Sequence, residues 1–294
     1  MIITTPAQLT KYIWLNGELI DAKSCHINLL AHSLHYSGGV FEGERAYDGK
    51  VFRLKEHTER LLYSAKIMQL DVPYSYQDII EAHKLFIKQN EIVDAYVRPL
   101  IFRGCESLNM TNDSLSVNLM IAATHSQSAK HEREFNLHIS RWRKPAIDAF
   151  PPQVKSSGHY NMVIVAQKEA KSLGFDDAVM LDSNGYVAES TTANIFFVKD
   201  RVLYTPTADL FLNGITRQTV LELAFEHNIK IVEKRIELTE VEGFDECFVT
   251  GTAAEIKYVN SITIDDKKIS FTSNKITEFL KDKYNKLVRG KFDE

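Results

Sequence analysis

Three dipeptides, Asn16-Gly17, Asp48-Gly49 and Asn184-Gly185, each lie between short runs of strand-forming residues. A two-residue hairpin turn needs positive φ at its centre, and Asn or Asp followed by Gly supplies it at little cost. The chain is therefore expected to double back as antiparallel hairpins over 12–20, 46–54 and 177–188. Helical stretches fall between them. Leu61, Leu62, Ala65 and Met68 make one apolar face within 55–70, and Pro73 ends that region. Ser75 with Asp78 three residues on is a capping-box signature for a helix over 76–89. Further helices are expected over 160–173, closed by Gly174, and from Thr216 to about 227. Strands are expected over 96–102, 116–123, 137–142, 194–198, 201–204, 229–236 and 247–250. This mixed order, with strands outnumbering helices, favours an α+β architecture over a doubly wound one.

At 294 residues, two domains are the natural division. The polar stretch 125–134 lacks any period and reads as the linker between domains over 1–124 and 135–294. The 35 basic and 39 acidic residues balance to −4, with no Lys/Arg block, so no nucleic-acid partner is expected. No apolar run approaches the roughly 18 residues of a membrane helix, and no signal peptide is visible at the start. Cys25, Cys105 and Cys247 are odd in number and far apart, which speaks against a disulfide framework or a zinc motif. A reducing, cytoplasmic setting follows as the expectation. HExxH, GxGxxG, P-loop and GxSxG patterns are all missing, and no metal site is expected.

Four segments stand out in order: Pro152-Gln153-Val154-Lys155-Ser156-Ser157-Gly158-His159-Tyr160; Asn184-Gly185-Tyr186-Val187-Ala188-Glu189-Ser190-Thr191-Thr192-Ala193-Asn194-Ile195-Phe196; Leu212-Asn213-Gly214-Ile215-Thr216-Arg217; and Thr250-Gly251-Thr252-Ala253-Ala254-Glu255-Ile256. Lys155 sits between a Pro-Pro turn and a small-residue step into a helix, where a ligand has room to approach. Gly214-Ile215-Thr216 opens an expected helix, whose free amides favour an anion. Thr216 equally suits the role of helix N-cap.

Together these segments resemble the fold-type IV pyridoxal-phosphate enzymes, and within them the branched-chain aminotransferases. His35-Tyr36, Val40-Phe41-Glu42-Gly43, Arg45-Ala46-Tyr47, Glu56-His57, Arg60-Leu61 and Tyr96-Val97-Arg98-Pro99-Leu100 extend the resemblance through the first half. The resemblance implies a small N-terminal α/β domain and a larger C-terminal domain with a barrel-like mixed sheet. It implies pyridoxal 5'-phosphate as cofactor, amino acids and 2-oxo acids as substrates, and a homodimer or larger homo-oligomer.

By the same resemblance Lys155 is the Schiff-base lysine, Tyr160 contacts the phenolic oxygen and Glu189 faces the pyridine nitrogen. Gly214, Ile215, Thr216, Gly251, Thr252 and Arg60 form the phosphate cup, and Leu212 is a further cofactor-binding residue. Tyr36, Phe41 and Tyr96 wall the substrate pocket, Arg98 takes a side-chain carboxylate with help from the Tyr36 hydroxyl, and Thr252 and Ala253 take the α-carboxylate. The loop over 105–110 matches one that relatives lend across a dimer interface. The stretch 189–194 is closer to D-amino-acid aminotransferases and aminodeoxychorismate lyases, which stand as the alternatives on the same scaffold.

Overall fold

Asn16 and Gly17 adopt φ values of 49° and 98°, and Asp48 and Gly49 values of 49° and 78°, so the first two hairpins close through left-handed turns as expected. This computed structural model describes residues 9–112, 114–125 and 134–290. They divide into two compact units, one drawn from Met1–Ser128 with Val154–Tyr160 and the other from Ala129–Gln153 with Asn161–Glu294. Except for its two end residues, the expected linker lies outside the described residues. Val154–Tyr160, counted from the sequence in the second domain, packs with the first unit instead. There Phe41 N donates to Lys155 O (3.1 Å) and Ser157 N to Gly39 O (2.9 Å).

The first unit runs β1 (Tyr12–Leu15), β2 (Glu18–Asp21), α1 (His32–Tyr36), β3 (Val40–Phe41), β4 (Glu44–Tyr47), β5 (Lys50–Val51), α2 (Leu54–Ile67), α3 (Tyr76–Gln89), β6 (Ala95–Arg103) and β7 (Val117–His125). The strands form one antiparallel sheet, β2-β1-β7-β6-β4-β5, with β3 also beside β6. The capping box before α3 is present: Asp78 N donates to Ser75 Oγ (3.2 Å) and Ser75 N to Asp78 Oδ2 (2.8 Å). β6 alternates strictly. Ala95, Val97, Pro99 and Ile101 are buried, which turns Tyr96, Arg98 and Leu100 to the other face. Phe41 pairs with Leu100 and so joins Tyr96 and Arg98 on that face.

The second unit carries β8 (Asn136–Arg143), α4 (Tyr160–Ser172, its first residue belonging to the first unit), β9 (Asp177–Leu181), β10 (Val187–Ser190), β11 (Asn194–Lys199), β12 (Val202–Pro206), α5 (Ile215–Glu226), β13 (Ile231–Lys234), β14 (Glu246–Gly251), β15 (Glu255–Tyr258), β16 (Ser261–Ile264), β17 (Lys267–Ser270) and α6 (Lys275–Val288). Its ten-stranded sheet is mixed, with parallel pairs β8–β9, β8–β16 and β12–β13. The order is β13-β12-β11-β10-β9-β8-β16-β17, and β14, paired with β15, branches from β11. Among the described residues this sheet is branched and is not closed by pairing. Leu137, Val179, Ile195, Phe197, Val249 and Ile262 anchor its core.

The helix expected to start at Thr216 is capped two residues earlier by Gly214, so Thr216 lies inside the first turn and is not the cap. The C-terminal helix α6 had no counterpart in the sequence reading, although Ile276, Leu280, Tyr284 and Val288 bury one stripe at four-residue spacing. No helix of the described residues is long and apolar enough to cross a membrane.

Candidate active site

In the first unit, α2 and the β3–β4 stretch hold the backbone around Lys155. Lys155 N donates to Ser64 Oγ (3.1 Å), and an isolated bridge joins Val40 to Ser156. Its Nζ donates to Tyr160 Oη at 2.9 Å and lies 5.3 Å from the centroid of the Phe41 ring. Among the described residues this ammonium has no carboxylate partner, so its hydrogen bonding is spent on a phenol. Phe41 meets Tyr160 edge-to-face at 4.8 Å.

The Arg98 guanidinium lies 4.4 Å from the Phe41 centroid and donates through Nη2 to Tyr96 Oη at 2.8 Å. Among the described residues its Nε is buried without a hydrogen-bond partner, an unmet donor beside an aromatic wall. Gly43 makes this arrangement possible, because a Cβ there would collide with the Tyr96 hydroxyl.

Arg60 is also in this unit, but its charge is matched. Glu42, fully buried, accepts from Arg60 Nε (2.6 Å) and Nη2 (2.7 Å) and from His57 Nδ1 (2.7 Å). Burial alone would raise the Glu42 carboxyl; Arg60 and then His57 outweigh it and hold it far below the usual carboxylate range. Burial likewise works against the Arg60 charge, and Glu42 reverses that. Tyr36 stands apart. It is 43% exposed and its hydroxyl donates to Leu108 O at 2.9 Å, so within this chain it does not assist Arg98.

In the second unit, Glu189, Asn194 and Thr250 lie in one row across β10, β11 and β14. Glu189 Oε1 accepts from Lys144 Nζ (2.7 Å) and Oε2 from Asn194 Nδ2 (3.0 Å). Asn194 also donates to Leu212 O (3.0 Å) and accepts from Gly214 N (3.1 Å). One amide therefore ties the Glu189 carboxylate to the loop that opens α5. Gly214 is required there, because a Cβ would collide with Asn194 Oδ1.

The same loop is held from below by Gln153 and Arg217. Asn213 N donates to Gln153 Oε1 (3.2 Å), and the buried Arg217 donates to Asn213 Oδ1 (3.0 Å). Ile215 and Thr216 are buried in the first turn of α5, where helix amides have no intrahelical acceptor. Gly251 ends β14, and Thr252 and the exposed Ala253 form the turn into β15. A Cβ on Gly251 would meet only ordinary contacts within this chain. Among the described residues Thr250 Oγ1 is buried without a partner.

Lys144, Asn194 and Thr250 were not singled out from the sequence as site residues. Asn194 and Thr250 lie inside the segments that drew attention; Lys144 carries no local signal. Among the described residues no cluster of three or more His, Cys, Asp or Glu is placed to hold a metal ion.

The family model described as Amino-transferase class IV matches residues 39–262. The chain belongs to the class IV aminotransferase family. It is a transaminase of α+β architecture, and the structures it resembles have the type IV fold. It is 56% identical over 279 residues, 95% of this chain and 96% of the relative, to a probable branched-chain-amino-acid aminotransferase of Rickettsia bellii (strain RML369-C). It superposes on the branched-chain aminotransferase of the thermophilic archaeon Thermoproteus uzoniensis with norvaline, with a TM-score of 0.89, 35% identity and coverage of 97% of this chain and 96% of that one. The branched-chain amino acid aminotransferase of Thermobaculum terrenum in its PLP-form (holo-form) matches with a TM-score of 0.88 at 28% identity, covering 97% of this chain and 96% of that one.

Proposed function

We propose that this protein moves an amino group between branched-chain L-amino acids (leucine, isoleucine and valine) and 2-oxoglutarate, with pyridoxal 5'-phosphate as its cofactor. One observation carries the substrate reading: Arg98, with its unmet Nε, lies against the Phe41 ring in the cluster that contains Lys155. An aromatic wall with the Arg98 guanidinium at its side suits both a leucine side chain and the carboxylate of glutamate.

The residues fit the cofactor. Lys155 offers an amine that among the described residues has no carboxylate partner, Glu189 a fixed carboxylate, and the start of α5 a set of helix amides. Bound pyridoxal phosphate supplies an electron sink for the pair released at the substrate Cα. Lys155 Nζ would hold the cofactor, and the same amine would serve as general base toward the substrate Cα proton. Tyr160 Oη, already bonded to Nζ, orients it and contacts the cofactor's phenolic oxygen. Glu189 accepts from the ring nitrogen. Gly214, Ile215, Thr216, Gly251 and Thr252 would hold the phosphate, with Arg60 sharing its donors between it and Glu42; Leu212 would be a further cofactor contact, and Thr252 and Ala253 would bind the α-carboxylate.

The stretch 189–194, which departs from the branched-chain pattern, uses its unusual side chains internally. Ser190 Oγ donates to Ala193 O (3.0 Å) and Thr191 Oγ1 to Asp177 Oδ1 (2.6 Å), both buried. That departure therefore supports no change of substrate. A panel of L- and D-amino acids with 2-oxoglutarate tests the reading, and L-leucine, L-isoleucine and L-valine are the expected donors. Turnover confined to D-alanine, or pyruvate released from aminodeoxychorismate, would replace it with one of the alternatives.

Arg98→Gln should separate the two substrates. A hydrogen bond to a charged group contributes about 1.5–3 kcal/mol, or roughly 10–150-fold, so the glutamate half-reaction should weaken by that factor while leucine is nearly spared. Single-turnover measurements read the halves separately, and equal losses would make Arg98 structural or a ligand of the α-carboxylate.

The working form is read as at least a homodimer in a reducing, cytoplasmic setting; the free thiols of Cys25, Cys105 and Cys247 support the latter. Ile27, Leu29, Leu30 and Leu34 on one segment and Leu108 and Met110 on another are exposed, Leu29 at 76%, and the Tyr36 hydroxyl joins the two segments at Leu108 O; this apolar surface suits a second copy. Light scattering at assay concentration should show a dimer or larger; a fully active monomer would rule it out.

A further inference from the structure

We propose that Lys144 is a positioning residue for the transamination, acting through Glu189 by fixing the carboxylate that meets the cofactor's ring nitrogen. The inference rests on the role given to Glu189 above. Lys144 directly follows β8, Glu189 lies in β10, and β9 runs between them. Both ladders break register at this level: β8 against β9 between Ile139 and Arg143, and β10 against β9 between Val187 and Glu189. Irregularities of this kind re-aim side chains and gather beside active sites.

The backbone of Lys144 is pinned by its N–H to Leu181 O at 2.8 Å, and its side chain reaches past β9 to Glu189. The two side chains are only 13% and 9% exposed. Lys144 donates to one carboxylate oxygen and Asn194 to the other, so the group cannot turn without losing a bond. Each oxygen still has a lone pair for a further donor. A buried ion pair adds little stability over an apolar pair of similar volume, whereas a charge held in place at a reacting centre is worth a great deal. The pair is therefore machinery of the site, with Lys144 as the member that never meets substrate.

The test uses the holoenzymes of Lys144→Met, Lys144→Arg, Glu189→Gln and the Lys144→Met/Glu189→Gln double variant. Two readouts are taken: kcat, and the 15N resonance of bound cofactor labelled at the ring nitrogen. Lys144→Met is expected to lose about 10–100-fold in kcat. Its ring resonance should move toward the unprotonated position, and Lys144→Arg should restore most of both. The double variant should lose no more than Glu189→Gln alone. If Lys144→Met does not fold, Lys144→Gln provides the same readouts.

An unshifted resonance in Lys144→Met, with a kcat loss that multiplies onto that of Glu189→Gln, would make Lys144 merely structural. A normal Lys144→Met beside an impaired Glu189→Gln overturns this inference alone. A normal Glu189→Gln overturns the role of Glu189 and this inference with it.

Discussion

Lys155→Ala is expected to fold and to bind the cofactor's phosphate, yet to lose transamination by about 10⁴-fold or more, the upper range for a positioned acid–base group. The fold should survive because the segment is held through its backbone. Lys155 N and O bond to Ser64 Oγ and Phe41 N, and alanine keeps both. What disappears is the amine bonded to Tyr160 Oη at 2.9 Å, the group read as carrier of the cofactor and as general base. Circular dichroism should overlay the parent protein while kcat collapses. Retention of kcat within tenfold would move the chemistry to another residue.

Glu189→Gln should lower kcat by about 10²–10³, comparable to losing one preorganised charge-stabilising group at a reacting centre. Cofactor affinity should change less, because the residues read as phosphate ligands, at 214–216 and 251–252, do not include Glu189 and are linked to it indirectly, through Asn194. The structure adds a second consequence. Lys144 Nζ would lose a charged partner in a setting only 13% exposed, so the melting temperature should also fall. Melting temperature and kcat therefore report different losses. Lys144→Met in the Glu189→Gln background should recover the first without recovering the second. Near-normal turnover in Glu189→Gln would mean that a different residue faces the ring nitrogen.

Features with a local cause were legible in the sequence. The turns at Asn16-Gly17 and Asp48-Gly49 are written in residues that tolerate positive φ, and the Ser75–Asp78 box marks the start of α3 to the residue. The strand expected over 96–102 has a two-residue period, which by itself puts Tyr96 and Arg98 on one face, as the structure has them.

What depends on sheet order was not legible. Lys144 meets Glu189, 45 positions away, only because β8, β9 and β10 are neighbours and both ladders break register there. Thr216 looked like an N-cap because its side chain suits one. Gly214 takes that position, and its N–H is satisfied by Asn194 from a distant strand. The expected partnership of Tyr36 with Arg98 fails within one chain for a similar reason: α1 directs that hydroxyl to Leu108 O.

Borohydride reduction of the holoprotein, followed by peptide mapping, tests the central claim most directly, because it fixes the cofactor to whichever amine carries it. The expected result is one label per chain, on the peptide containing Lys155. A label on Lys144 or any other lysine, or none in a protein that turns over L-leucine, would contradict it.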